Sequence, residues 1–106
     1  MDVQALIANL RAQIGGARDG ALLRFSLANA LAGGGDHAAA AQACRDTLAF
    51  DANYSAAWKL LGKSLAQSGD TAGAIDAYER GIAVAAARGD KQAQKEMDVF
   101  LRRLKR

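Results

Sequence analysis

The sequence predicts an all-α fold, a stack of antiparallel helix hairpins with about six helices, and three observations carry that prediction. The 106 residues include no proline and are rich in alanine, so little in the chain opposes helix. Apolar side chains recur at i, i+3 and i+4 near both ends, the spacing of one helix face. The middle of the chain repeats: displaced by 34 residues, Ala21–Tyr54 falls on Ser55–Arg88 with ten identities. The most telling are Leu27/Leu61, Leu31/Leu65, Gly35/Gly69 and Asp36/Asp70, which place a buried stripe and a helix break at one phase.

Val3, Leu6, Ile7, Leu10 and Ile14 form the apolar stripe of a first helix, closed by Gly15-Gly16. Asp2 precedes Asp36 by the repeat length of 34, so this helix imitates the second half of an earlier repeat. Four helices are expected over about Asp19–Ala32, Asp36–Phe50, Asn53–Gln67 and Asp70–Ala87. They are separated at Gly33-Gly34-Gly35 and Ser68-Gly69, where glycine supplies a left-handed turn and Asp caps the next helix. Ala93, Met97, Phe100, Leu101 and Leu104 make the inner face of a last helix, with Lys91, Lys95, Asp98 and Arg102 on its wet side. The organisation is a single domain: capping helix 1–20, repeats 21–54 and 55–88, closing helix 89–106.

Trp58-x2-Leu61-Gly62-x2-Leu65 followed by Ala74-x3-Tyr78 resembles the tetratricopeptide repeat (TPR), with Leu65 for the motif's Tyr and Tyr78 for its Phe. The terminal proline is replaced by Ala86. The preceding repeat keeps Leu27 and Ala40 but has Arg24 for the Trp, Ala28 for the Gly, Leu31 for the Tyr and Cys44 for the aromatic. The resemblance implies a right-handed stack in which Gly62 and Ala74 sit at close helix crossings. It also implies a protein–protein interaction module whose first helices line a concave groove for a peptide. Carried over by position, the groove residues are Leu22, Phe25, Asn29 and Gly33, then Ala56, Lys59, Lys63 and Gln67. The helix bearing Lys59 and Lys63 contains no acidic residue to offset them, which suits an acidic peptide. Phe25 stands where the dicarboxylate-clamp form of the groove has Lys, and the closing helix offers no matching Lys-Arg pair.

Other signals are weaker. Gly62-Lys63-Ser64 spells the tail of a nucleotide P-loop, but position 57 is Ala and no strand precedes it, so its amides belong to a helix ladder. Gly33-Gly34-Gly35 lacks the third glycine of a dinucleotide loop. His37 is the one histidine and has no partner at ligand spacing, which makes it a solvated first-turn residue. Cys44 reads as a small buried apolar residue, and Arg88-Gly89-Asp90 as a helix end, a glycine and a new cap. No nucleophile, base and oxyanion set is present, so no enzyme and no cofactor are expected.

The net charge of +3 resides in Arg102, Arg103, Lys105 and Arg106; the preceding 101 residues hold 10 basic against 11 acidic side chains. Those cations complement the C-terminal end of the last helix. With Lys91 and Lys95 they also define the alternative reading, a nucleic-acid-associated factor. Self-association at a weakly sealed end leaves the state open between monomer and weak homo-oligomer. A single cysteine, no run of about 20 apolar residues and no basic-then-apolar block after Met1-Asp2 lead to the expectation of a cytoplasmic protein.

Overall fold

The computed structural model describes residues 2–106, which form six helices: α1 Val3–Ala12, α2 Ala21–Gly33, α3 His37–Phe50, α4 Ser55–Gln67, α5 Thr71–Arg88 and α6 Lys91–Leu104. Their starts are written into four aspartates. Asp2, Asp36, Asp70 and Asp90 each sit at the N-cap, and each carboxylate accepts from the amide three residues on, at Ala5, Ala39, Gly73 and Ala93. The repeat breaks are identical in geometry. Gly35 and Gly69 adopt φ of 86° and 88°, and the amides of Asp36 and Asp70 reach back to Leu31 O and Leu65 O at 3.0 and 2.9 Å.

Each helix packs on its neighbours in sequence, and α2, α4 and α6 also touch in series to form one layer. The other layer is α1, α3 and α5, and α1 packs on α2. The molecule is 39 × 28 × 20 Å. Two apolar clusters fill it. The first gathers Ile7, Leu27, Leu31, Cys44, Leu61 and Leu65; the second gathers Tyr78, Met97 and Leu101. Half-buried Trp58 packs against both, and its indole N–H donates to Ala52 O at 2.8 Å.

Small residues occupy the crossings for a steric reason. A Cβ at Gly62 would lie 2.5 Å from the Tyr78 ring, and one at Gly81 would lie 2.7 Å from Trp58 Cβ. Ala74 is fully buried.

Three local expectations change. The first helix stops at Ala12, so Ile14 lies beyond it and is exposed, as is Leu6; the buried stripe narrows to Val3, Ile7 and Leu10. The second helix begins at Ala21 rather than Asp19, because the Asp19 carboxylate has stronger partners than a cap position. It binds Arg24 Nε and Nη2 at 2.8 and 3.0 Å and accepts from the amides of Gly15 and Gly20. The Arg24 hydrogen bonds, then the Gly15 amide, hold Asp19 well below the usual carboxylate range. Arg24 reaches on to Asp46 and lies over the Phe50 ring. This ion-paired latch stands where the next repeat has Trp58. The third and fifth helices likewise start one residue after the Asp that caps them.

Candidate functional site

The layer of α2, α4 and α6 presents a concave face with two adjoining cavities. The first, about 400 Å³, is lined by Phe25, Asn29, Ala56, Lys59, Leu60, Lys63, Glu96 and Phe100. The second, about 300 Å³, is lined by Lys63, Ala66, Gln67, Tyr78, Phe100, Arg103 and Leu104. Lys63 and Phe100 belong to both, so the two run together as one groove.

Helical spacing explains the placement. Phe25 and Asn29 are one turn apart on α2, and Ala56, Lys59, Lys63 and Gln67 follow one stripe of α4. The structure thus brings six of the seven principal expected residues to one face. Leu22 stands apart: it is 71% exposed and lines neither cavity. Gly33 lines a third cavity, of about 310 Å³, with Asn29, Ala32, His37, Leu60, Lys63 and Ser64. His37, expected to be solvated, is half-buried and lines this cavity.

Aromatic pairs build the walls. The Phe25 and Tyr54 rings are tilted with centroids 4.9 Å apart, and Tyr78 and Phe100 pair at 5.8 Å. Burial pushes the Tyr78 hydroxyl up to about 12, so it stays a neutral hydrogen bonder at physiological pH. Arg103 lies 5.9 Å from the centre of the Phe100 ring.

The charge on α4 is not unopposed. Glu96 comes across from α6 and meets Lys59 Nζ at 3.2 Å, which places an ion pair across the groove. Both side chains are at least about a third exposed, so the pair is worth at most about 1 kcal/mol. Lys63 has no ion-pair partner among the described residues. Sequence reasoning missed Glu96, Phe100 and Arg103 because α6 read as a closing helix only. The signal was there: Glu96 and Phe100 are spaced i, i+4, on the side of α6 that meets the stack.

Cys44 is fully buried, and burial pushes its thiol up to about 12, so it is an apolar filler. Among the described residues no three His, Cys, Asp or Glu side chains converge as a metal site. Among them, too, no helix is long and apolar enough to cross a membrane. Arg88-Gly89-Asp90 is a helix end, a left-handed glycine at φ 72° and the cap of α6.

Across 88 residues the chain is 52% identical to TPR repeat-containing protein PA0015 of Pseudomonas aeruginosa, covering 83% of this chain and 84% of that one. The chain belongs to the tetratricopeptide-repeat family. The solution structure of protein BPP2914 from Bordetella parapertussis superimposes with a TM-score of 0.82 at 48% identity, over 95% of this chain and 88% of that one. The Sgt2 TPR domain from Aspergillus fumigatus has a TM-score of 0.74 at 23% identity, over 94% and 68%. MamA has a TM-score of 0.72 at 20% identity, over 96% and 66%, and these last two likenesses concern the fold alone. No family model matches the chain. Membership places it among protein–protein interaction modules of helical-repeat type.

Proposed function

We propose that this TPR protein is a non-enzymatic binding module that takes an acidic peptide segment with an apolar residue in the groove between α2, α4 and α6. The observation that carries this reading is the groove's composition. Phe25, Phe100 and Tyr78 offer flat apolar contact, Asn29 and Gln67 offer paired donors and acceptors for peptide backbone, and Lys63 and Arg103 stand over the rim without an opposing carboxylate of their own. A carboxylate of the ligand meets Lys63, and its apolar side chain rests on Phe100. Two repeats give a short groove, so the affinity expected is micromolar, about −8 kcal/mol.

The basic tail is a poorer candidate surface for nucleic acid. Arg102 is paired with Asp98 at 2.8 Å and Lys105 with Glu79 at 3.7 Å, so these two tail cations each already have a carboxylate. Phosphate gripping requires several such cations to be available together.

The test is affinity capture from the native host with wild-type protein, Lys63→Glu, and a tail variant with Arg102, Lys105 and Arg106 changed to Gln, which spares the groove residue Arg103. Lys63 is exposed and has no ion-pair partner among the described residues, so its reversal leaves the melting temperature nearly unchanged. The partner retained by the wild type and the tail variant should be lost from Lys63→Glu. If Lys63→Glu retains it while the tail variant loses it, the groove is not the working surface.

A further inference from the structure

The third cavity, beside Lys63, differs in chemistry from the groove it adjoins. It is lined by residues from three helices: Asn29, Ala32 and Gly33 of α2, His37 of α3, and Leu60, Lys63 and Ser64 of α4. Its four polar side chains are an amide, an imidazole, an ammonium and a hydroxyl, all able to donate a hydrogen bond. No carboxylate lines it, whereas Glu96 lines the main groove. Asp36, next in the chain to His37, is occupied as the cap of α3, accepting from Ala39 N at 3.2 Å.

Ser64 is the unusual member. It is 1% exposed, and its Oγ has no hydrogen-bond partner among the described residues. Three other hydroxyls, of Ser26 and Thr47 within helices and of Ser68 at a helix C-cap, donate to the carbonyl one turn back, on Leu22, Ala43 and Ser64, at 2.7–2.9 Å. A buried hydroxyl without a partner carries a desolvation cost that nothing offsets. The fold does not demand it, because Ala30 fills the equivalent position one repeat earlier. Lys63 beside it is likewise uncommitted, although Lys59 one turn earlier is held by Glu96.

We propose that this cavity receives a phosphoryl group, the phosphate monoester of a serine or threonine in a bound peptide. The inference rests on the peptide-groove reading, since the cavity shares Asn29, Leu60 and Lys63 with the groove. A carboxylate presents two oxygens and one charge, too few for donors converging from three helices. A phosphate monoester presents three terminal oxygens and a charge of about −1.5 to −2 at neutral pH. Lys63 supplies the counter-charge, Asn29 and His37 donate from the opposite side, and the Ser64 hydroxyl gains the partner it lacks. This is not a nucleotide loop despite the Gly62-Lys63-Ser64 spelling. The amides there belong to the α4 ladder and are not free to cradle a phosphate.

The test is an NMR titration of the full chain with two blocked single residues, N-acetyl-phosphoserine N-methylamide and N-acetyl-glutamate N-methylamide. Phosphoserine should shift the signals of Asn29, His37, Lys63 and Ser64, with affinity about tenfold above glutamate, as one extra charge-assisted hydrogen bond provides. Ser64→Ala should remove that advantage, leave glutamate binding unchanged, and melt at or above the wild-type temperature. Lys63→Met should weaken both ligands. Equal affinity for the two ligands, indifference to Ser64→Ala, or shifts confined to residues 102–106 would each overturn the assignment. Such a failure leaves the groove reading standing, because partner capture by the Lys63→Glu protein tests that separately.

Discussion

Adding one methyl group at the closest helix crossing tests the repeat packing and the groove together. Gly62 lies inside α4, where alanine is intrinsically favoured over glycine by about 0.8–1.0 kcal/mol. Propensity alone therefore predicts that Gly62→Ala stabilises. The structure predicts the reverse. The new Cβ would stand 2.5, 2.7 and 2.7 Å from three carbons of the Tyr78 ring, about 1 Å inside normal contact. Tyr78 has little room to yield, being 3% exposed and packed against Phe100 on its far side. Overpacking a rigid contact costs about 1–3 kcal/mol, and this one belongs at the upper end. Less the propensity gain, the net loss is about 2 kcal/mol, which lowers the melting temperature of a chain this size by roughly 10 °C.

Gly33→Ala is the matched control. Gly33 ends α2, and a Cβ there meets nothing within 4 Å, so the same substitution should be neutral or mildly stabilising. Thermal melts followed by circular dichroism read both variants. The Gly62 change has a second consequence, because Tyr78 and Phe100 form a wall of the groove. Displacing Tyr78 should weaken capture of the partner even below the melting transition. A Gly62→Ala protein that melts at or above the wild type would refute the close crossing of α4 and α5, and with it the alignment of the two repeats.

Two further outcomes rest on the same packing. Trp58→Ala removes the side chain shared by the two clusters and should cost about 3 kcal/mol, the lower end for a Trp truncation because the ring is only half-buried; an unchanged denaturant midpoint would show that the clusters do not depend on it. Asp19 has its carboxyl lowered by Arg24 and two backbone amides, so its stabilising contribution is complete above the unfolded value of about 3.9 and is lost as pH falls towards the folded value. The melting-temperature gap between wild type and Asp19→Asn should be full at neutral pH and begin to shrink below about pH 4; a gap constant down the acid range would refute the latch.

How much is legible in the chain depends on whether a feature is local or made between helices. The caps and breaks are local, and Asp36, Asp70, Gly35 and Gly69 announce them through a side chain or a φ angle that the residue type itself favours. Asp19 looks in sequence like one more cap, yet its role is decided by Arg24, whose guanidinium makes two hydrogen bonds where a cap makes one. The stripe on the first helix is too wide in sequence, at Leu6 and Ile14, for a related reason. Periodicity reports which residues share a face, but the width of the buried strip is set by the neighbour, and α1 has only α2 to lie on.

The groove shows the same division more sharply. Phe25, Asn29, Lys59, Lys63 and Gln67 can be placed because position within a repeat fixes which way a side chain points. For Glu96 and Phe100 the i, i+4 spacing puts both on one side of α6, but α6 carries no repeat motif to say that this side faces the groove. They matter as much as the residues that sequence does place. Glu96 holds Lys59, and so leaves Lys63 as the cation of α4 with no carboxylate against it. Lys63 is also the one residue shared by the groove's two parts and the side cavity at Ser64. An anion arriving in any of these three therefore meets the same ammonium. On the proposed groove reading, charge on the partner is read at Lys63, and the surrounding shape decides what kind of charged group can stay.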